Sequence, residues 1–374
     1  MPAPPTRSGA IGQCTLARMP VSALVTIRNR TTATRYGAAA VAAACAALSL
    51  AGCAGQTDDP SSIIRTTTNI AGAGVVGLDR DTSKACPLPS APDQAGGTVS
   101  VTHASGVTEV PADPQRIVVL STSALDAACA LGLWERVVGA ATLDGPRPQP
   151  AYLGYGVTEI PGVGATGQPD LAKIAELKPD LILGETPSPT AGFDGLQRIA
   201  PTVLVGDSTS WQAEFTALAA GMNRRGAAGR ALEDYRIEAR EIGNSIAANQ
   251  SQASVLRFTP GTVRIQGNDS FAGQVLADAG VQRPTAQRGA SADITSDEFA
   301  TGAEGDIIYV DFAGEDGREY GAKVLRTDEW KDLGAATDHR VFAVEDSVWN
   351  GDGLTAARAL LFDLRGTLNG YVTD

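Results

Sequence analysis

Residues 224–250 read RRGAAGRALEDYRIEAREIGNSIAANQ and hold the most regular pattern of the chain. Their apolar side chains recur at spacings of three and four, which places them on one face of a helix. These side chains are Leu232, Tyr235, Ala239, Ile242 and Ile246. No proline falls between Gly206 and Thr259 to interrupt such a helix. We predict a helix from about Arg230 to Ala248, roughly 28 Å long at the usual rise per residue.

Short apolar strands alternate with helical segments on both sides of this predicted helix. The strands before it are at 116–120, 136–140, 180–184 and 201–205, and those after it are at 253–258, 262–266, 306–310 and 340–344. Such alternation is typical of α/β folds with mostly parallel sheets. We therefore predict an α/β protein with an N-terminal lobe at 98–225, a connecting helix at 226–250 and a C-terminal lobe at 251–374.

The charge of the chain argues against a nucleic-acid partner. Its 374 residues include 42 acidic and 30 basic side chains, a formal net charge of −12. Nucleic-acid-binding proteins instead present basic surfaces. Residues 1–52 differ from the rest, because they contain five arginines and no acidic residue.

The N-terminus has the order of a secretory signal. Three arginines between 28 and 35 precede the apolar run 36–50, and small residues follow that run. The run is too short for a helix that spans a membrane. We therefore predict a signal peptide at 1–52. Because the first 18 residues have no signal character, translation from Met19 is the alternative to a start at Met1.

The four residues Leu-Ala-Gly-Cys at 50–53 resemble the lipobox of bacterial lipoproteins, in which the cysteine is lipidated and becomes the mature N-terminus. We predict that Cys53 carries the lipid and holds the protein at the extracytoplasmic face of the cell membrane. The alternative is an ordinary signal peptide with a chance cysteine. Residues 53–97 are rich in Ser, Thr, Gly, Pro and Asp without periodicity, which predicts a flexible tether.

The remaining cysteines form an even pair. Cys14 and Cys45 would leave with the signal peptide and Cys53 would carry lipid, which leaves Cys86 and Cys129. In an oxidising compartment such a pair is expected to form a disulfide, and we predict this bridge. Two unpaired thiols are the alternative, because the sequence does not show whether the two residues are close.

The sequence lacks the motifs of common catalytic and metal sites. It has only two histidines, His103 and His339, and no Cys/His cluster for a metal. It has neither a Gly-Lys-Ser/Thr phosphate loop nor a Gly-x-Ser-x-Gly nucleophile elbow. Glycines at 72, 74 and 77 have the dinucleotide-binding spacing, but no strand precedes them. We predict that the protein is not an enzyme and has no cofactor or metal site of its own.

Several segments resemble bacterial substrate-binding proteins for iron siderophores, haem and cobalamin. The opening strand at 110–120, VPADPQRIVVL, is of this type, and PGVG at 161–164 followed by KPDLIL at 178–183 is the most specific piece. GDIIYV at 305–310 continues the match, which covers about 98–370. The tether, the cysteine pair and the lipobox are similar to those of mycobacterial ferric-dicitrate-type binding lipoproteins.

The resemblance implies two Rossmann-like lobes joined by one long helix. It also implies that the ligand is captured in the cleft between the lobes and passed to an ABC importer. In this family an acidic residue on each lobe pairs with arginines of the permease. Asp126 occupies the first of these positions, where relatives usually have Glu, and Glu298 or Asp297 occupies the second. A solvated helix face is the alternative at both positions.

Most candidate ligand-binding residues follow predicted strands, because ligands bind beyond the carboxyl ends of strands in open parallel sheets. The candidates are Ser121, Ser123, Tyr152, Tyr155, Thr166, Gln168, Glu185, Trp211, Arg264, Asn268, Trp349, Asn350 and Arg358. Trp211 and Trp349 would stack on a bulky chelate or porphyrin, with packing inside a lobe as the alternative. Arg264 and Arg358 would neutralise an anionic chelate, unless they point away or pair with an acid.

These observations predict a lipid-anchored monomer that captures a ferric siderophore or haem outside the cytoplasm for delivery to an ABC permease. A haem-specific binding protein is one alternative, with Tyr152 or Tyr155 as the iron ligand. A cell-envelope or signalling lipoprotein without a transport function is the other, and its cleft would hold no ligand.

Overall fold

The computed structural model describes residues 68–143, 147–186 and 192–368. These residues belong to one compact unit. The predicted signal peptide and Cys53 lie outside them. None of the helices in the described ranges is long and apolar enough to cross a membrane.

The first sheet is formed by strands that precede the connecting helix in sequence. The strands of this part of the chain are β1 (Asn69–Ile70), β2 (Ala73–Val75), β3 (Thr98–His103), β4 (Gly106–Pro111), β5 (Ile117–Val119), β6 (Val137–Thr142), β7 (Gly162–Ala165), β8 (Gln168–Pro169), β9 (Leu181–Gly184) and β10 (Thr202–Leu204). A six-stranded sheet has the order β10-β9-β5-β6-β7-β8, with every pair parallel except β7–β8. The side chains of β5 are fully buried, as is typical of a parallel strand that is covered on both faces. β3 and β4 form an antiparallel hairpin.

The second sheet contains the strands after the connecting helix. These are β11 (Ala253–Thr259), β12 (Thr262–Ile265), β13 (Ala292–Ile294), β14 (Ile307–Phe312) and β15 (Val341–Ala343). The sheet has seven strands in the order β1-β2-β15-β14-β11-β12-β13. Strands β2, β15, β14 and β11 run parallel, whereas β12 and β13 are antiparallel additions. The sheet is therefore mixed, because the two-residue turn Pro260-Gly261 can join only antiparallel strands.

Helices cover both sheets. They are α1 (Thr122–Ala130), α2 (Tyr155–Thr158), α3 (Leu171–Glu176), α4 (Gly192–Gln197), α5 (Trp211–Gly221), α6 (Arg225–Ser245), α7 (Phe271–Asp278), α8 (Phe299–Gly302), α9 (Gly314–Val324), α10 (Asp328–Lys331), α11 (Gly334–Thr337), α12 (Asp346–Trp349) and α13 (Leu354–Leu368). Short 3₁₀ segments lie at Trp134–Arg136, Ala151–Leu153, Ala248–Gln250, Thr285–Gln287 and Ser296–Glu298.

The connecting helix α6 buries the predicted apolar face. Leu232, Tyr235 and Ala239 are at most 5% exposed. The helix begins five residues before the predicted start, where the carboxylate of Asp93 accepts a hydrogen bond from the backbone N–H of Gly226 at 3.0 Å. A carboxylate at this end satisfies a free N–H and interacts favourably with the helix dipole. Asp93 is far away in sequence, so the pattern of 224–250 did not reveal this start.

The predicted flexible tether at 53–97 is wrong for the part of it that the structure describes. β1 and β2 form a hairpin, and β2 pairs in parallel with β15 at the edge of the second sheet. Strands of two and three residues are too short to give a periodic signal. Their hydrogen-bonding partner, at 341–343, is more than 250 residues away in sequence.

Residues 76–97, which we call the strap, run from the second sheet to the first lobe. Arg80 pairs with Asp363 of α13 at 2.7 Å. Further along, Cys86 forms the predicted disulfide with Cys129 of α1, with an S–S distance of 2.11 Å. The hydroxyl of Ser90 then donates to the carbonyl of Leu131 at 2.8 Å. The two lobes are thus linked by the strap as well as by α6.

Candidate functional site

A polar cleft of about 430 Å³ opens between the two lobes. Its lining residues come from segments that follow β5, β6, β9 and β15, from the β7–β8 turn, and from the end of β11. They are Ser121, Thr122, Ser123, Thr142, Leu143, Ala165, Thr166, Gln168, Glu185, Arg257, Asp346, Ser347, Asn350, Gly351 and Asp352. This position at the ends of parallel strands is where α/β proteins bind ligands, and the volume is in the range of small-molecule sites.

The first wall of the cleft is built on the start of α1. The hydroxyl of Ser121 accepts a hydrogen bond from the backbone N–H of Ala124 at 3.2 Å, which caps the helix. The hydroxyls of Ser121 and Ser123 lie 2.9 Å apart, and Ser123 donates to Glu185 at 2.5 Å. Glu185, which follows β9, is therefore held at the cleft by a residue of the neighbouring helix.

The second wall contains one arginine among acids. The guanidinium of Arg257 pairs with both carboxylate oxygens of Asp346, at 2.9 and 3.1 Å. The Nε of the same guanidinium also lies 3.5 Å from Asp311, which is fully buried. The amide of Asn350 donates to the same Asp311 at 2.9 Å and to Asp346 at 3.0 Å. These contacts fix the orientation of Arg257 and Asn350.

Crowding of acids raises the pKa of several carboxyl groups near the cleft. The pKa of Asp352 rises to about 7, first because of burial and then because Glu185 and Asp126 are negatively charged. Burial also raises the pKa of Glu214 to about 7, with the hydrogen bond from Ser123 opposing and the charge of Glu185 adding to the effect. Glu214 is thus partly protonated near neutral pH.

Six of the predicted ligand-binding residues line the cleft. They are Ser121, Ser123, Thr166, Gln168, Glu185 and Asn350. All six were predicted because they lie in polar loops at strand ends. The rule that ligands bind at the carboxyl ends of strands therefore located the loops correctly.

The two tryptophans are core residues and do not line the cleft. Trp211 is 2% exposed and packs edge-on against Tyr235 of α6 and Phe271 of α7. Trp349 is 1% exposed, and its indole N–H donates to Asp363 at 3.0 Å. Both rings follow strands, as predicted, but each lies on a helix that turns the ring inward.

The two tyrosines also lie elsewhere. Tyr152 is 2% exposed, and its hydroxyl donates to the carboxylate of Asp126 at 3.0 Å. Tyr155 is 79% exposed, at the start of α2. Neither lines the cleft, because the segment that carries them packs beside α1 and α13 instead.

Three further candidates make contacts outside the cleft. Arg264 pairs with Asp293 of the neighbouring strand at 2.8 Å. Arg358 pairs with Glu238 of α6 at 3.1 Å. The amide of Asn268 donates to the carbonyl of Arg288 at 2.8 Å. Both arginines thus pair with acids. The alternative for Arg264 was that it points away, and the alternative for Arg358 was an acid of its own helix, whereas Glu238 lies on α6.

The first predicted permease contact is wrong. Asp126 is fully buried, and its carboxylate accepts hydrogen bonds at 2.9 Å from the backbone N–H groups of Thr355 and Ala356, at the start of α13. It therefore joins the two lobes and is not available to a partner. Glu298 is exposed, and its carboxylate accepts from the backbone N–H of Thr295 at 2.8 Å in a capping box. Docking by Glu298 stays a prediction.

Several lining residues were not predicted, above all Arg257. Arg257 interrupts the apolar run of β11 near its carboxyl end, and a charged side chain at that position was the available signal. Asp346 and Asp352 were not among the predicted ligand-binding residues, although both lie in the segment that contains Asn350. We had interpreted that segment mainly through Trp349.

Comparisons with known proteins agree with this architecture. The family model "Periplasmic binding protein" matches residues 117–348. A "Probable siderophore-binding lipoprotein YfiY" of Bacillus subtilis is 30% identical over 71% of this chain and 86% of its own length. The "Achromobactin-binding periplasmic protein" of Dickeya dadantii is 25% identical over 67% of this chain and 85% of its own length.

A solved structure supports the same assignment. SirA of Staphylococcus aureus, complexed with staphyloferrin B, has a TM-score of 0.62 and 27% sequence identity. The match covers 73% of this chain and 99% of that chain. The predicted two-lobed α/β fold is confirmed. The family match spans more than half of the residues of this chain. The chain therefore belongs to the periplasmic binding protein family.

Proposed function

We propose that this protein captures a ferric siderophore in the cleft and delivers it to an ABC importer, working as a lipid-anchored monomer. The observation that carries the proposal is the polar cleft between the lobes, where hydroxyl, amide and charged side chains converge. Such groups suit the polar surface of an iron chelate. The names of relatives support this ligand class, since they include siderophore-binding, achromobactin-binding and Fe(3+)-citrate-binding proteins.

The side chains that line the cleft do not fit haem as the ligand. Among the described residues, the lining side chains include no aromatic ring, histidine, tyrosine, cysteine or methionine. A porphyrin needs apolar surface on both faces and an axial ligand for its iron. The tyrosines that we considered for that role, Tyr152 and Tyr155, do not line the cleft.

A titration of the purified full-length protein with ferric siderophores tests the proposal. We expect quenching of intrinsic fluorescence, because Trp349 is adjacent in sequence to the lining residue Asn350. Thr166→Trp should reduce affinity at least tenfold, because Thr166 is exposed in the cleft and a bulky ring there would occupy ligand space. Thr301→Trp is the matched control, since Thr301 is exposed on α8 and does not line the cleft.

Saturable binding that Thr166→Trp weakens and Thr301→Trp preserves would support the proposal. Binding of none of the ferric siderophores would refute it. That result would favour the second function that we considered, a cell-envelope lipoprotein without a transport role.

We further propose that Cys53 is the lipid anchor of the mature protein. The order of basic patch, apolar run and lipobox at 28–53 supports this, and so do the names of relatives, which include lipoproteins. Expression of Cys53→Ala in a bacterial host should move the protein out of the membrane fraction or leave it unprocessed. Cys45→Ala is the control, because Cys45 lies in the apolar run and should not affect fractionation. A Cys53→Ala protein that still fractionates with membranes would contradict lipidation.

A further inference from the structure

We infer that the ligand of this cleft presents a cationic group, such as a protonated amine, to Glu185 and Asp352. The inference rests on the proposed function and narrows its ligand class. It sets a cationic or amine-bearing ferric chelate apart from strongly anionic carboxylate chelates.

The single arginine of the cleft is already neutralised by protein acids. Asp346 holds the Arg257 guanidinium through both of its oxygens, and the Nε of Arg257 also lies 3.5 Å from Asp311. Because Asp346 already offsets the charge of Arg257, this arginine would attract an anionic ligand less strongly than an unpaired arginine would. Arg257 is therefore poorly placed to attract an anion.

Among the described residues, no other lysine or arginine lines the cleft, and this includes Arg147, which is exposed and follows the lining residue Leu143 by four positions. Arg257 is the only lysine or arginine among the described lining residues. Residues 144–146 and 187–191, which adjoin the cleft in sequence, contain neither lysine nor arginine. Arg264, opposite Arg257 on the adjacent strand, is paired with Asp293.

Two acids of the cleft remain without an ion-pair partner. Within the described ranges, neither Glu185 nor Asp352 forms a salt bridge. Glu185 accepts a hydrogen bond from the neutral hydroxyl of Ser123, and the carboxyl of Glu214 lies beside both acids and shares a hydrogen bond with Glu185. The two lining acids come from different lobes, so one ligand cation between them would offset charge on both walls.

These carboxylates do not make a metal site. In the part of the chain that the structure describes, no group of three or more His, Cys, Asp or Glu side chains is placed to hold a metal ion. An organic cation needs no such convergent geometry, because a protonated amine can donate to separate carboxylates.

The start of α1 would favour an anion, because free backbone N–H groups and the positive end of the helix dipole lie there. These groups already have partners within the protein in part. The hydroxyl of Ser121 caps the backbone N–H of Ala124, and the hydroxyl of Ser123 donates to Glu185. The positive end of the helix therefore already faces a carboxylate of the protein. A cationic ligand group next to Glu185 would not meet an uncompensated positive charge.

Two ferric siderophores that bind iron through the same groups but differ in the charge of one end test this inference. Ferrioxamine B carries a protonated amine at one end, and N-acetylation removes that charge without changing the three hydroxamates that bind iron. We expect the full-length protein to bind ferrioxamine B about tenfold more tightly than its N-acetyl derivative. It should bind ferric dicitrate, an anion, more weakly than either. In the double variant Glu185→Gln, Asp352→Asn, the preference between the first two ligands should disappear.

The single variant Asp352→Asn keeps the test valid if the double variant does not fold, and should show an intermediate preference. Equal affinity for the two ferrioxamines, or tighter binding of ferric dicitrate, would overturn the inference while leaving siderophore capture intact. A preference that persists in a folded double variant would also overturn it. Failure to bind any ferric siderophore would instead refute the proposed function.

Discussion

Replacing Trp349 with alanine should lower the free energy of unfolding by about 3–5 kcal/mol, the usual cost of truncating a large buried aromatic side chain. The ring is 1% exposed and packs against Tyr309 with the ring centroids 4.4 Å apart. Its indole N–H donates to Asp363, which is also the ion-pair partner of Arg80. Loss of the ring would leave a cavity and remove one hydrogen bond from a buried carboxylate.

Chemical denaturation and ligand titration of the same variant distinguish a packing role from a ligand contact. Trp349→Phe is the control, because it keeps one aromatic ring and loses the N–H together with part of the indole volume, so we expect a smaller loss of stability. Affinity of the folded Trp349→Ala protein should remain within a few-fold of that of the unchanged chain. A loss of affinity of tenfold or more, with stability lowered by less than about 1 kcal/mol, would contradict the buried position.

Trp349 also illustrates why a correct rule can select a wrong side chain. The segment after β15 lies at the cleft, as the strand-end rule predicts, and it supplies Asp346, Asn350 and Asp352 to the lining. The four-residue helix α12 turns successive side chains in different directions, so that Trp349 points into the core. The sequence locates the loop, whereas the direction of each side chain depends on local geometry that no periodic pattern encodes.

Features with a long local pattern could be predicted well. The 21-residue helix α6 and the strands β5, β9 and β11 have apolar patterns that depend only on neighbours in sequence. Features that depend on distant partners could not. Asp126 was predicted to face a permease because the family resemblance implies an acidic residue at this position, but α13 of the other lobe covers it.

The edge of the second sheet was missed for the same reason. β2 is only Ala73-Gly74-Val75, and it becomes a strand because β15 provides a parallel partner. The composition of 53–97, rich in Gly, Ser and Pro, is the same as that of a flexible linker. The cysteine count was the one sequence signal that this segment is held against a lobe.

Removing the disulfide should have an effect comparable to the loss of Trp349. The double variant Cys86→Ser, Cys129→Ser opens a loop between residues that are 43 apart in sequence. The chain-entropy model gives about 4 kcal/mol for a loop of this length, because the bridge restricts the unfolded chain. The bridge also ends on Cys129, which is fully buried in α1, so the native structure already holds both residues in place.

Urea denaturation under oxidising and reducing conditions measures this contribution. The unchanged chain should lose about 4 kcal/mol of unfolding free energy when dithiothreitol is added, whereas the double variant should not respond. The reduced chain and the double variant should therefore have similar midpoints. The double variant Cys86→Ser, Cys129→Ser has the same side chains under oxidising and reducing conditions. A response to dithiothreitol that only the unchanged chain shows therefore comes from the bridge and not from side-chain packing. A reductant effect below about 1 kcal/mol would mean that the other contacts of the strap, at Arg80 and Ser90, are sufficient to hold it across the lobes.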